Sequence, residues 1–367
     1  SSAAAASSSS SSRFFAHRSK GPAFAAADAR MELLTSLKPR PGSPLADSHT
    51  PSLVVVRDRF EHNLEAIHRD IPAGIAVRPH AKAHKSAAIG RMQIQAGACG
   101  LCAAKLSEAE VLVRGGCLDV CITNEVVGLA NLKRLASLAQ TEGATISVCV
   151  DSKENVLMMK KVMQEFGIKG LKVLVEVNVG QNRCGVEPGR PAAELAKLVE
   201  EQSPWLSFQG LHAYHGSNQH VREPSGREKT IESLVAPGVQ STLDELSGAG
   251  LKCAVVTGGG TGSYPFEIKT GLYTEIQPGS YIFMDVDYSK NLQRSDLKPG
   301  PAPFVPSLFV LTTVVSVSSQ GWAVVDAGTK AVSLDSGPPR VHDMDLQPQD
   351  SVEYICGGDE HGILKPL

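Results

Sequence analysis

The sequence predicts an α/β protein in which a (β/α)8 TIM-type barrel is followed by a C-terminal all-β domain. Short β-branched or apolar runs recur eight times between residues 76 and 277, with helical spacing between them. Eight parallel βα units in about 200 residues match a closed barrel better than an open doubly wound sheet. After residue 277 the strand-like runs continue, but their connections are rich in Pro and Gly and lack helical spacing.

The predicted elements follow one another in a regular order. The barrel strands are predicted at 76–82, 100–105, 119–124, 146–151, 172–179, 208–214, 254–258 and 273–277. Helices are predicted at 86–95, 106–114, 127–140, 153–166, 191–201 and 229–249. The barrel is therefore assigned to residues 59–275. The β domain is assigned to 276–367, with strands at 309–317, 322–326 and 351–355.

The N-terminal residues 1–30 differ from the rest of the chain. They are nearly all Ser and Ala, with four Lys or Arg residues against one acid, Asp28. This composition is typical of a chloroplast or mitochondrial transit peptide. A disordered arm without a targeting role is the alternative, and it would leave the protein cytoplasmic. Residues 31–58 are predicted to form a linker and a strand that joins the β domain.

Composition excludes several classes of protein. The 367 residues are 42% hydrophobic and 20% charged, which suffices for a core and excludes wholesale disorder. The net charge of −2 argues against nucleic acid as a general partner. The longest apolar stretches, such as 309–317, are far shorter than the roughly 18 residues of a membrane-spanning helix.

Eight cysteines do not indicate a disulfide framework. Cys102, Cys121 and Cys149 lie inside apolar strand-like runs, which is typical of buried thiols in an intracellular protein. Cys99 and Cys102 form a single C-x-x-C, and one such pair is weak evidence for redox or zinc chemistry.

Three candidate site residues lie at or just after the carboxyl ends of predicted strands, which form the active-site face of a barrel. Lys82 carries an amine whose pKa would fall near other cations, and a lower pKa would make the amine a nucleophile. The alternative is a lysine that binds phosphate or lies at the surface. Arg183 lies in a glycine-flanked loop, where it binds a ligand or forms a salt bridge. Tyr214 shares one face of its strand with His212, and both are expected to face the interior, as site residues or as core aromatics.

A run of glycines and a hydroxyl follows the seventh strand at Gly259, Gly260, Thr261 and Gly262. Such a run frees backbone N–H groups to converge on an anion, and barrel phosphate sites commonly form after strands seven and eight. A lysine amine across the barrel from a phosphate site suits pyridoxal 5′-phosphate (PLP). Its aldehyde needs an amine and its phosphate needs N–H donors.

Seven segments of the chain resemble the D-threonine aldolase / D-serine dehydratase family. Members of this family are fold-type III PLP enzymes with an alanine-racemase-like N-terminal barrel and a C-terminal β domain. The segments run in family order through almost everything from residue 50 to 362. They are RPHAKAHK (78–85), AKLSEAE (104–110), NVGQNRCGV (178–186), GLHAYHG (210–216), TGGGTGSY (257–264), EIQPGSYIFMD (275–285) and GDEHG (358–362).

The resemblance implies roles for the candidate residues. Lys82 would form the internal aldimine, Arg183 would hydrogen-bond the phenolic oxygen of the cofactor, and Tyr214 would lie near the pyridine nitrogen. The phosphate would be held by Gly259, Gly260, Thr261 and Gly262. His80, His84 and Gln277 are expected near the pocket without an assigned step. Ala83 departs from the Thr that is usual in the family, which alters the support of Lys82.

The resemblance also implies a divalent metal, and here the chain departs from the family pattern. The family holds its metal with a His-x-Asp or His-x-Cys pair some tens of residues after the segment that corresponds to 358–362. The chain stops at Leu367, so these ligands are absent from it and no metal ligand is assigned. Asp359 and His361 are poor substitutes. The expected explanations are an incomplete sequence or a metal-free pseudoenzyme.

The resemblance therefore implies a PLP-dependent lyase that acts on β-hydroxy-D-amino acids, with D-threonine aldolase as the first hypothesis. The segment at 279–288 favours this reaction slightly. D-serine dehydratase and a non-catalytic PLP-binding protein are the alternatives. The expected partners are a small D-amino acid substrate and a second copy of the chain in a homodimer, with neither nucleic acid nor a membrane.

Overall fold

The computed structural model of the protein describes residues 41–292 and 304–367. The predicted transit peptide at 1–30 and the first part of the predicted linker lie outside these residues. The strands are β1 (Ser52–Val55), β2 (Ala76–Val77), β3 (Leu101–Ala103), β4 (Asp119–Glu125), β5 (Thr145–Val150), β6 (Leu171–Glu176), β7 (Leu206–Ala213), β8 (Val255–Gly258), β9 (Glu275–Ile276), β10 (Leu308–Leu311), β11 (Val314–Val317), β12 (Ala323–Val325), β13 (Val352–Cys356) and β14 (Gly362–Pro366).

Strands β2 to β9 form one parallel sheet in the order β2-β9-β8-β7-β6-β5-β4-β3. Backbone hydrogen bonds join its two end strands: the Cys99 amide donates to the Val77 carbonyl at 2.9 Å, and the Cys102 amide donates to the Pro79 carbonyl at 2.8 Å. The sheet is therefore closed on itself, and the prediction of a (β/α)8 barrel followed by a separate all-β region is confirmed.

Helices cover the outside of the barrel. They are α1 (Arg57–Asp70), α2 (Ala87–Gln95), α3 (Leu106–Arg114), α4 (Leu129–Ala139), α5 (Lys153–Glu165), α6 (Arg190–Glu200), α7 (Pro224–Thr230), α8 (Ala236–Gly248) and α9 (Tyr264–Lys269). The apolar faces of most of them pack on the strands in one large buried cluster that includes Leu112, Leu135 and Met159. Helix α1 packs in a second cluster, with Val77 and Ile276. Within the described ranges, no helix combines the length and apolarity that crossing a bilayer requires.

The first barrel strand is shorter than predicted. It was expected at 76–82 and ends at Val77, so Lys82 lies on a short 3-10 turn, Ala81–Ala83, and not on the strand. The backbone stays beside its neighbours, because the His80 amide donates to the Pro278 carbonyl at 3.0 Å. Pro79 and Pro278 have no amide hydrogen, so a regular ladder cannot continue through them.

The predicted helix 229–249 is also interrupted. Helix α7 ends at Thr230, a wider π-type turn spans Ile231–Val235, and α8 begins at Ala236. Pro237 explains the interruption, because it lacks an amide hydrogen and its ring clashes with the carbonyl four residues earlier. The wider turn accommodates the proline without ending the helical direction.

The β domain contains two small antiparallel sheets. One pairs β1 with β10, and the other has the order β11-β12-β14-β13. The single strand predicted at 309–317 is therefore two strands in different sheets. Asp326 explains the break, because its Oδ1 accepts hydrogen bonds from the Thr312 hydroxyl at 2.7 Å and from the Thr313 amide at 2.9 Å.

Candidate active site

Lys82 is held in the barrel mouth by the turn that follows β2. His80 lies behind this turn, and its Nδ1 accepts a hydrogen bond from the Lys82 amide at 3.3 Å. Burial lowers the pKa of His80 well below its usual value, so the ring is neutral. With Nδ1 as an acceptor, Nε2 carries the proton and donates to the Thr123 hydroxyl at 3.1 Å. His80 therefore orients the backbone that carries Lys82.

The Lys82 amine has the environment of a nucleophile. Its side chain reaches solvent at the mouth, and its Nζ lies 5.6 Å from the centre of the Tyr214 ring. Desolvation by the barrel wall, followed by the charge of Arg183, lowers the pKa of the amine. A lowered pKa increases the neutral fraction, which is the form that attacks a carbonyl carbon.

The loop after β6 presents Arg183 at an exposed position. Asn178 orders this loop, because its Oδ1 accepts hydrogen bonds from the amides of Gly180 at 3.1 Å and Asn182 at 3.0 Å. The far end of the loop is fixed where the Gly185 amide donates to Asp151 Oδ2 at 3.2 Å. The guanidinium is thus carried on an ordered loop close enough to influence both Lys82 and Tyr214.

Tyr214 and His212 face the barrel interior together, as the strand alternation predicts. Their ring centres are 6.4 Å apart in a stacked arrangement. Burial raises the pKa of Tyr214 to about 12, so the phenol is neutral at physiological pH. Tyr214 therefore offers an uncharged hydroxyl beside the Lys82 amine.

The glycine-rich loop after β8 has the shape of an anion-binding site. A Cβ on Gly260 would lie 2.4 Å from Gln219 Oε1, and one on Gly262 would lie 2.5 Å from the Gln219 carbonyl. Gly259 has a φ of 67°, which favours glycine. Among the described residues, none accepts a hydrogen bond from the amides of Gly260 or Thr261. Amides free to donate at a strand-to-helix turn fit a phosphate group.

A chain of hydrogen bonds runs through the interior beneath these residues. Arg78 Nε donates to Glu275 Oε2 at 2.8 Å, and Glu275 Oε1 accepts from the Thr257 hydroxyl at 2.7 Å. Thr257 Oγ1 accepts from Gln277 Nε2 at 2.9 Å, and Gln277 Oε1 lies 3.2 Å from His212 Nε2. Gln277 thus joins β8 to His212 in the barrel interior.

Beyond this chain of hydrogen bonds, His212 is paired electrostatically with Glu176, whose Oε2 lies 3.4 Å from its Nδ1. Burial alone would lower the pKa of His212, but the Glu176 charge outweighs it and raises that pKa. Glu176 and Glu275 were missed as site residues in the sequence. The available signal was an acid within each predicted barrel strand, since buried acids are rare unless paired.

Two groups of side chains have the spacing of metal ligands: Cys149, Glu176 and His212 in the core, and Glu125, Asp151 and Cys184 at the mouth. Without a metal, the protonation of these groups disfavours a divalent cation, because ligands must lose their protons to bind one. Burial raises the pKa of Cys149 well above its usual value and that of Cys184 to about 11, so both are thiols. Burial, with the charges of Glu176 and Asp151, raises the pKa of Glu125 to about 7. No metal ligand is assigned to either group.

Other expected positions have structural roles. His84 Nδ1 accepts a hydrogen bond from the Ser86 amide at 3.0 Å, and its Nε2 lies 3.1 Å from Gln93 Oε1, which places it at the start of α2. Asp359 Oδ2 lies 3.7 Å from Lys330 Nζ. All eight cysteines, which lie in the described parts of the chain, are free thiols.

The sequence matches two family models. Residues 55–287 match the alanine racemase N-terminal domain, and residues 307–367 match a putative serine dehydratase domain.

Individual relatives are similar over most of their length. A D-threonine aldolase from an Arthrobacter species is 41% identical, over 89% of this chain and 82% of the relative. A 3-hydroxy-D-aspartate aldolase from Paracoccus denitrificans is 39% identical over the same shares. The crystal structure of D-threonine aldolase from Filomicrobium marinum superimposes with a TM-score of 0.80 at 41% identity, covering 88% of this chain and 83% of that one.

Proposed function

Because the chain belongs to the alanine racemase N-terminal domain family of fold-type III PLP enzymes, and is similar to aldolases of that family over most of its length, we propose that it is a PLP-dependent lyase. Its substrates would be β-hydroxy-D-amino acids, and the reaction would cleave the Cα–Cβ bond of D-threonine to give glycine and acetaldehyde. The 41% identity to a D-threonine aldolase supports this choice of substrate.

The observation that carries the proposal is the pairing of a reactive amine with an anion-binding loop in one barrel mouth. Lys82 has a lowered pKa beside Tyr214. Backbone amides of Gly260 and Thr261 remain free to donate to a phosphate. A cofactor that carries both an aldehyde and a phosphate uses both features at once.

Each residue has a separate task in this proposal. Lys82 would hold the cofactor through its amine, and the 259–262 loop would hold the phosphate. The Arg183 guanidinium would hydrogen-bond the phenolic oxygen, and the neutral Tyr214 side chain would lie near the pyridine nitrogen. When bound, PLP supplies the electron sink for the charge left on Cα as the Cα–Cβ bond breaks.

Replacing Lys82 tests the anchor directly. Lys82→Ala is expected to abolish the absorbance of lysine-bound PLP, because the attacking amine is gone. Lys85→Ala is the matched control, since Lys85 lies three residues away, is exposed and forms an ion pair with Glu108; it is expected to keep the band. Borohydride reduction of the wild type followed by peptide mass spectrometry should find the modification on Lys82. A label on another lysine would refute the assignment.

A dehydratase is the second candidate, because residues 307–367 match a putative serine dehydratase domain. The products distinguish the two reactions. D-threonine gives glycine and acetaldehyde by cleavage of Cα–Cβ. It gives 2-oxobutanoate and ammonia by loss of water followed by hydrolysis of the resulting imine. Bound PLP without turnover of any β-hydroxy-D-amino acid would instead favour a non-catalytic PLP-binding protein.

We further propose a homodimer and an organellar location. An exposed row of valines on strand β11 supports the dimer, because Val317 is 75% exposed at the edge of its sheet. Light scattering of the purified protein tests it.

The composition of residues 1–30 supports import into a chloroplast or mitochondrion. A fluorescent fusion made with and without those residues tests the location.

A further inference from the structure

A buried carboxyl lies directly behind the glycine-rich loop. Glu267 on α9 is 1% exposed, and a Cβ on Gly259 would lie 3.4 Å from its carboxyl carbon. Its Oε1 accepts a hydrogen bond from the Ser263 hydroxyl at 2.6 Å. Within the described parts of the chain, nothing hydrogen-bonds to its Oε2. A charged carboxylate in this position would be poorly compensated, whereas a protonated carboxyl carries no charge.

Two buried side chains connect this carboxyl to the loop. The Ser263 oxygen accepts a hydrogen bond from Gln219 Nε2 at 2.5 Å. Gln219 Oε1 in turn accepts from the Gly262 amide at 2.9 Å. Ser263 and Gln219 are fully buried, so the series from Glu267 to Gly262 is shielded from water. The position of the loop therefore depends on the state of Glu267.

On the premise that the protein binds PLP as proposed above, we propose that Glu267 is a positioning residue for the cofactor phosphate. As a neutral carboxyl it fixes the position of the 259–262 loop through Ser263 and Gln219. Its ionisation opposes phosphate binding.

The electrostatic surroundings agree with this role. Burial raises the pKa of Glu267 to about 7, although the Ser263 hydrogen bond acts in the opposite direction. The titratable groups that face it from other elements are the phenols of Tyr214 at the end of β7 and Tyr273 before β9. Burial raises the pKa of both phenols, so both are uncharged at neutral pH.

The sign of the pH effect follows from linkage. A bound phosphate carries negative charge on the other side of the loop, so it disfavours the carboxylate and raises the pKa of Glu267 further. The affinity for a phosphorylated ligand must then fall as the pH rises through the pKa of the free protein. If phosphate binding raises the pKa of Glu267 by one unit, the affinity for the phosphorylated ligand changes tenfold across the titration.

The test compares two ligands and two proteins. Apoprotein and its Glu267→Gln variant are titrated with PLP and with pyridoxal, which lacks the phosphate, from pH 6 to 9. Glutamine keeps the Oε1 acceptor for Ser263 and cannot ionise. For PLP, the wild-type Kd divided by the variant Kd should be near one at pH 6 and rise about tenfold by pH 8.5. For pyridoxal the quotient should stay near one. Ionisation of Lys82 and of the phosphate cancels in this quotient.

A quotient for PLP that does not change with pH overturns the inference, and so does an equal rise with pyridoxal. If the variant does not fold, the wild type alone decides. Its preference for PLP over pyridoxal should decline between pH 7 and 8.5, where the phosphate is already largely a dianion, and a constant preference overturns the inference. Bound PLP with the wrong pH dependence refutes only this inference. Failure to bind PLP refutes the proposed function and this inference with it.

Discussion

At the scale of single residues, the two halves of the barrel interior differ in chemistry. Strands β3, β4 and β5 contribute Cys102, Cys121 and Cys149, which pack with Leu174 in a small apolar cluster. The opposite half contains the hydrogen-bonded series that passes through Thr257, Gln277 and His212. A satisfied polar network in a core fixes the positions of its members, but each member becomes costly to remove.

Gln277 is the member whose loss should be most informative. Gln277→Leu removes the acceptor for His212 Nε2 and the donor to Thr257, leaving buried polar atoms unpaired. We expect a loss of about 2 kcal/mol in the free energy of unfolding, measured by urea denaturation. Gln140→Leu removes one exposed hydrogen bond to the Phe166 carbonyl and should change stability by less than about 0.5 kcal/mol. Equal effects of the two substitutions would refute the network as a source of stability.

At the scale of elements, close contact between strands β7 and β8 depends on one glycine. A Cβ on Gly210 would lie 1.8 Å from the Val255 carbonyl oxygen, and its φ is 155°. Gly210→Ala should therefore force the two strands apart and cost about 3 kcal/mol or more. Gly248→Ala is the control, because no described atom lies within 4 Å of its added Cβ at the end of α8. It should stabilise the protein by about 0.5–1 kcal/mol. Thermal unfolding of both variants checks the difference in sign.

The number and order of barrel strands could be predicted from the sequence because each buried strand is a short apolar run between turn residues. The boundaries of the strands could not be predicted from the sequence, for two specific reasons. Strand β2 ends early because the prolines at 79 and 278 interrupt the ladder. The run at 309–317 looks continuous, but Asp326, distant in sequence, binds the two threonines at its centre. Such interruptions depend on partners that local pattern does not reveal.

The candidate site was predictable to a similar extent. The topology of the barrel brings the carboxyl ends of its strands to one face. Near those ends lie Lys82, Tyr214 and the glycine run. Glu267 and Gln219 lie behind that face on other elements, and only tertiary packing places them against the loop.

At the scale of the whole molecule, one buried asparagine joins the barrel to the β domain. Asn63 on α1 donates to the carbonyls of Ile282 at 3.2 Å and Val305 at 2.7 Å, and its Oδ1 accepts from the Val305 amide at 2.8 Å. Val305 lies just before strand β10. Asn63 is therefore one of the side chains that hold the segment before β10 against α1, beside the ring contact of Phe60 with Phe283.

Asn63→Ala should leave these backbone groups unpaired and cost about 2–3 kcal/mol in the free energy of unfolding. Because the groups lie between two regions, limited proteolysis should also become faster near residue 305. Asn131→Ala is the control and should behave like the wild type, because Asn131 is exposed and has only local hydrogen bonds, to the Val127 carbonyl and from Arg134. If proteolysis near residue 305 is unchanged, Asn63 stabilises α1 alone and does not join the two regions.

The pairing of β1 with β10 has a consequence for the order in which the protein is made. Val55 pairs with Leu308, about 250 residues later in the chain. A ribosome that adds 5–20 residues per second takes roughly 12–50 s to produce the intervening segment. Throughout that interval β1 has no strand to join, while each βα unit of the barrel can pack on the unit before it. Of the strands in the described residues, β1 is thus the first to leave the ribosome and among the last to find its partner.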